Sequence, residues 1–252
     1  MAGHSKFKNI QHRKGAQDKK RAKIFTKLVR EIITAAKIGG ADPLANPRLR
    51  NSISAARSHN LPKERIDRAL AQASDPTNDN DYVEIRYEGF LPGGIAIIVE
   101  TLTDNKNRTV SDVRSCFSKY GGNLSESGTV TFMFEHVGKI IYPVSVADSD
   151  QILSAAVEID VKDVISDESE HLIYTEVESF SESLEYLTKI FDTPVESELE
   201  WKALNNVLVE DEERAIKLFK LIDTLEENDD VQKVFGNYEL SEELYKKLDL
   251  IN

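Results

Sequence analysis

Two short stretches of this chain hold residue types at spacings suited to the chemistry of anions. The first is His4-Ser5-Lys6-Phe7-Lys8-Asn9-Ile10-Gln11-His12-Arg13-Lys14. It interleaves cations with an aromatic ring and amides. Lys6, Lys8, Arg13 and Lys14 can neutralise phosphates, while Phe7 or His12 can stack on a base. The competing reading is a non-specific basic tail. The second stretch is Thr103-Asp104-Asn105-Lys106-Asn107-Arg108-Thr109, ahead of a helix. Asn105, Arg108 and the positive end of the helix dipole can hold an anion there. The competing reading is a capped loop, with Asp104 and the asparagines satisfying backbone groups.

Charge segregation gives these stretches their setting. Residues 1–70 hold 17 Lys/Arg against 5 Asp/Glu, whereas the whole chain has a net charge of −12. The remainder, 71–252, holds 15 Lys/Arg against 39 Asp/Glu. A basic module gains affinity for a polyanion by releasing counterions from its phosphates. The acidic remainder repels the same polymer and limits how it docks. Lys19, Lys20, Arg21, Lys23 and Lys27 continue the basic run, and Arg48, Arg50, Lys63, Arg65 and Arg68 follow.

Enzyme chemistry has little support. The five histidines (His4, His12, His59, His136, His171) form no HExxH pair, and GxSxG, Walker and GxGxxG motifs are absent. No catalytic residue, metal ligand or cofactor is assigned, and an uncharacterised enzyme is the minority reading. Cys116 is the single cysteine, which excludes a disulfide framework and a CxxC site. No secretory h-region and no membrane-length apolar run occur, so a cytoplasmic protein without membrane contact is expected.

The elements that must position these residues follow from hydrophobic period. Residues 1–20 read as a basic arm. A helical stripe begins near Arg21, with Ile24, Phe25, Leu28, Val29, Ile32, Ile33 and Ala36 on one side and Lys23, Lys27 and Arg30 away from it. Helices from Pro47 and from Pro62 complete a three-helix bundle over 21–73, with Arg48, Arg50, Lys63, Arg65 and Arg68 on its outer face. Residues 74–81 form a polar linker.

The period then shortens to two. Strands are expected at Tyr82–Phe90, Ile95–Leu102 and Thr129–Phe134, with a helix opened by a capping box at Thr109-x-x-Asp112. Residues 135–202 read as βαββαβ, a ferredoxin-like unit. Strand, helix and strand over Asn205–Tyr238 complete a second such unit begun at Ile95. The expected fold is therefore α+β: the bundle with its basic arm, then two ferredoxin-like βαββαβ domains, one inserted in the other. The acidic insert, 135–202, interrupts a discontinuous domain of 82–134 plus 203–240. A C-terminal tail spans 241–252.

Several strings in the chain resemble one family. They are Met1-Ala2-Gly3-His4-Ser5-Lys6, His12-Arg13-Lys14, Lys23-Ile24-Phe25-Thr26-Lys27-Leu28, Asn46-Pro47-Arg48-Leu49-Arg50 and Asn60-Leu61-Pro62-Lys63. Tyr87-Glu88-Gly89, Leu102-Thr103-Asp104-Asn105, Asn107-Arg108-Thr109, Gly121-Gly122-Asn123-Leu124 and Asp229-Asp230-Val231-Gln232 continue the likeness. On these the chain is identified as a member of the YebC/PmpR family, which includes the mitochondrial translational activator of cytochrome oxidase. Phe7 stands where the family commonly has Trp, and Ser125 where it usually has Gly. The insert matches least.

The resemblance implies a helical N-terminal domain and two α/β domains. It also implies nucleic-acid binding and control of gene expression, with no cofactor. Two partners follow from it: promoter DNA for a transcriptional regulator, or ribosomal RNA or tRNA for a ribosome-associated translation factor that relieves stalling. The family's usual description places the first ahead.

Overall fold

The N-terminal apolar stripes form helices that bury them. The computed structural model describes residues 17–75, 82–241, 243 and 244. Most of the expected arm, linker and C-terminal tail lie outside these residues. Helix α1 (Gln17–Gly39) starts four residues before Arg21, and α2 (Pro47–Ser58) and α3 (Lys63–Ser74) pack against it. Their shared core is Ile32, Ile33, Ala36, Leu49, Ile53, Ala56, Ile66 and Ala69, flanked by Phe25, Leu28 and Val29.

The α1–α2 corner depends on two residues. Gly40 takes φ +87°, which lets the chain leave the helix. Buried Asn46 caps α2 by accepting from the Leu49 N–H at 3.1 Å, and its amide donates to Ala35 O and Gly40 O at 2.8 Å each. One side chain thus satisfies groups at the end of one helix and the start of the next.

The described residues up to Phe134, with those from Ala203 onward, form one compact unit, and Glu135–Lys202 form another. In the first, β1 (Val83–Leu91) and β2 (Ile95–Thr103) pair antiparallel in register from Val83↔Thr103 to Leu91↔Ile95. Helix α4 (Lys106–Lys119) and β3 (Asn123–Ser125) follow. Further on come β8 (Val207–Val209), α7 (Glu212–Glu226), β9 (Val231–Gly236) and β10 (Tyr238–Leu240). The sheet order is β3-β1-β2-β9, and β8 pairs in parallel with β10 apart from it. Val113 and Phe117 of α4 and Leu218, Leu221, Ile222 and Leu225 of α7 bury Ile95, Ile97 and Val99 of β2.

The α+β class, with N-terminal helices and one α/β unit inserted in another, stands as expected. One strand of the host differs. A ferredoxin-like order begun at Ile95 needs β8 beside β2, but β1 occupies that place. A nine-residue strand joined to β2 by a short turn closes a smaller loop than the three-residue β8 can, so the local hairpin wins.

Two local expectations are corrected. The capping box at Thr109 is not the helix start, because Asn105 caps α4 one turn earlier. Thr129–Phe134 is not a strand: Thr131–Met133 form a 3-10 turn before Phe134. The cause is Glu88, whose fully buried carboxylate accepts from Gly128 N–H (2.9 Å), Val130 N–H (2.7 Å), Thr131 N–H (3.2 Å) and the Thr131 hydroxyl (2.6 Å). Backbone donors gathered round one anion cannot also serve a ladder.

The inserted unit comprises β4 (Phe134–Pro143, from Glu135 on), α5 (Ser149–Glu158), β5 (Asp163–Ser166), β6 (Glu170–Thr175), α6 (Phe180–Phe191) and β7 (Glu196–Ala203, to Lys202). Its sheet order β5-β6-β4-β7 is that of a ferredoxin-like fold. Ile140, Tyr142, Ile152, Ile173, Phe180 and Leu187 form its core. Opposite the core, Lys139 is held by Glu196, Glu198 and Glu200 at 2.7–2.8 Å. These alternate residues of β7 share one side of the sheet.

Candidate nucleic-acid interface

Helix α1 carries cations on two different sides. Lys23, Lys27 and Arg30 recur at i, i+4 and i+7, one stripe of a 3.6-residue helix. They reach residues some two hundred positions later in the chain. Lys23 Nζ donates to Glu227 O, and Lys27 Nζ donates to Glu226 O at 3.0 Å. Arg30 donates to Asp229 O at 2.8 Å and to Leu102 O at 3.2 Å. The end of α7 offers carbonyls without helical partners and a negative dipole end, both complementary to ammonium groups. Burial, reinforced by Lys23, holds the Lys27 ammonium below the ordinary lysine range despite the Glu226 charge beside it.

The stripe ends at a buried carboxylate. Asp230 Oδ1 accepts from Arg30 at 2.7 Å, and Oδ2 accepts from Arg108 at 2.7 Å, Thr109 Oγ1 at 2.8 Å and Thr103 Oγ1 at 3.2 Å. Burial pushes this carboxyl up, but hydrogen bonds from Arg108, Arg30 and Thr109 outweigh it and hold it below the usual range. Thr109 lies in the first turns of α4, with its hydroxyl turned to Thr103 (2.7 Å) as well as Asp230. The Arg30 guanidinium also lies 5.2 Å from the Tyr82 ring centroid.

The 103–109 loop is thus knitted inward. Asn105 Oδ1 accepts from Arg108 N–H at 3.1 Å, which is the cap of α4. Arg108 bridges Asp104 (2.8 Å) and Asp230, and the Asp230 hydrogen bond is the leading cause that raises its pKa. The functional groups expected to cradle an anion here already have partners within the chain.

The remaining candidates divide by partner. Arg48 binds Glu31 through two hydrogen bonds (2.7 and 3.1 Å) and also pairs with Glu84. Burial opposes the Arg48 charge, but these two carboxylates raise its pKa overall. Arg50 approaches Pro43 O and Leu44 O at 3.5 Å each. Lys63, Arg65 and Arg68 are exposed on α3, and Arg21 is exposed on α1. Among the described residues, these four meet no carboxylate within ion-pair distance. Lys19 and Lys20 stand in the first turns of α1, their side chains outside what is described. Lys6, Phe7, Lys8, His12, Arg13 and Lys14 also lie outside the described residues.

The Arg30–Asp230 pair has no local signal in the sequence. The 23/27/30 spacing is plain in the chain, but nothing near it points to Asp229-Asp230.

Comparison with known proteins gives a uniform picture. Residues 5–76 match the family described as the TACO1/YebC protein N-terminal domain, and residues 82–238 match the TACO1/YebC second and third domain. A probable transcriptional regulatory protein of Rickettsia bellii is 60% identical over 248 residues, covering 98% of this chain and 98% of its own. A protein of the same description from Rickettsia rickettsii is 59% identical over 247 residues, with 98% of each chain covered. The crystal structure of a conserved hypothetical protein from Aquifex aeolicus aligns with a TM-score of 0.83 at 42% identity, covering 92% of this chain and 96% of that one.

Proposed function

This chain belongs to the TACO1/YebC family, and from that premise we propose that it is a nucleic-acid-binding regulator of gene expression, a DNA-binding transcriptional regulator of YebC type. The observation that carries this reading is the set of exposed cations on the bundle, Arg21, Lys63, Arg65 and Arg68, which lack carboxylate partners among the described residues. They continue a basic N-terminal sequence in a chain that is otherwise acidic. Such cations gain by replacing the counterions of a phosphate backbone. The names of the Rickettsia relatives support transcription as the process.

The contact is of the kind that positions a protein on a backbone rather than the kind that reads base edges. The inserted unit, with 17 Asp/Glu against 4 Lys/Arg in residues 135–202, is kept away from the polymer by its charge.

Crosslinking in cells, followed by sequencing of what is attached to the N-terminal region, tests this reading. Promoter DNA is the expected product. Recovery of ribosomal RNA or tRNA without promoter DNA would replace it with a ribosome-associated translation factor.

A further inference from the structure

Two of the bundle's exposed cations are arranged around a single ring. The Arg21 guanidinium carbon lies 5.3 Å from the Phe25 centroid, and that of Arg65 lies 5.8 Å from the same centroid. The two arginines come from different helices, α1 and α3, so no local spacing brings them together. Arg21 and Phe25 stand at i and i+4, and the ring packs against the bundle core. Two like charges held at one ring repel. The negative faces of the ring attract each of them, but among the described residues no carboxylate shares the site. On α3, Arg68 follows Arg65 at i+3 and lies on its side of the helix, whereas Glu64 and Asp67, at i−1 and i+2, do not face Arg65.

The geometry points to a phosphate clamp in which Arg21 and Arg65, steadied on Phe25, hold a phosphodiester group of a nucleic-acid backbone, and Arg68 meets its neighbour. This rests on the nucleic-acid reading above and gives it a specific seat. A guanidinium fork matches phosphate oxygens two at a time, and an aromatic support fixes the fork before the ligand arrives. The clamp takes the backbone of DNA or RNA alike, since it touches no base edge.

The test uses the full chain with two labelled probes, a mixed-sequence DNA duplex and an RNA hairpin, followed by fluorescence anisotropy over a range of salt. In the double variant Arg21→Gln/Arg65→Gln, two cations no longer neutralise phosphate charge. The slope of log K against log salt is therefore expected to become shallower by about 1.4 to 1.8. Arg21→Lys/Arg65→Lys is expected to keep the slope but bind more weakly, because the charge stays and the fork is gone. Both residues are exposed, so wild-type thermal melting is expected in all variants. An unchanged slope in the glutamine variant, with normal wild-type binding, overturns the clamp and leaves nucleic-acid binding standing. A wild-type chain that binds neither probe at low salt overturns the functional reading and the clamp with it.

Discussion

Arg30 of α1 donates at 2.7 Å to the buried carboxylate of Asp230, which opens β9 just before Val231. This ion pair ties the helical bundle to the far end of the host α/β fold. The same carboxylate holds Arg108, Thr103 and Thr109, so one acid organises groups from three separate segments, α1, β2 and α4. Asp230→Ala leaves the Arg30 guanidinium without its carboxylate and Arg108 with Asp104 alone. The expected loss is about 3–5 kcal/mol of unfolding free energy, the size seen when one member of a buried pair is removed. Urea denaturation measures it, and a loss below about 1 kcal/mol, typical of a surface ion pair, would sink this account.

Glu88 predicts a pH dependence. Burial raises its carboxyl, but hydrogen bonds from Thr131, Val130 and Gly128 outweigh that and bring it down to about 2. Its folded value lies below its unfolded one, so its contribution is present above the ordinary carboxyl range and lost as pH falls toward 2. Wild-type stability is expected to drop by about 2–3 kcal/mol more than that of Glu88→Gln between neutral pH and pH about 2. Chemical denaturation of both proteins across that range decides it. Parallel curves would show that this anion is not a source of acid sensitivity.

Gly39 faces the Asn46 amide so closely that an added Cβ would stand 2.6 Å from Nδ2. Gly39→Ala must displace the side chain that joins α1 to α2. A loss of about 1–3 kcal/mol is expected, from overpacking and from cap bonds left unmade. Thermal melting reads it. A stabilised variant, as helix propensity alone would give, would mean the corner yields freely.

The partnered lysines of α1 and the outward arginine of α3 are expected to separate in the same assay. Lys23→Gln with Lys27→Gln removes groups that already bind the end of α7. Stability should fall by about 0.3–1 kcal/mol per residue, with the salt dependence of nucleic-acid binding unchanged. Arg68→Gln should do the reverse, leaving stability alone and reducing the salt slope by about 0.7–0.9. Denaturation and anisotropy on the same preparations make the comparison, and a reduced slope in the lysine variant would assign Lys23 and Lys27 to the ligand as well.

The parts of the fold legible in the sequence are those written locally. The stripe from Phe25 to Ala36 and the inward positions Leu49, Ile53 and Ile66 follow from a 3.6 period, and all join one core. The apolar run at Ile95 marked a central strand, and β2 lies between β1 and β9. What escaped was set by distant partners. Thr109 has the look of a cap residue, but its hydroxyl belongs to Asp230, 121 positions away. The 129–134 segment reads as a strand until Glu88 claims its N–H groups. The candidate site divides in the same way. Which residues are basic is plain from composition, but which are already paired depends on α7 and β9 meeting α1.

The inward stripe of α1 has one more consequence. Lys23 and Lys27 donate to the carbonyls of Glu227 and Glu226 and Arg30 to the Asp230 carboxylate, so the chain supplies its own counterion at Arg30 and its own dipoles to the two lysines. The surplus counted over residues 1–70 is therefore larger than the charge an approaching polymer feels. Part of it is neutralised from within, which tempers indiscriminate sticking and leaves attraction to a few outward arginines and lysines.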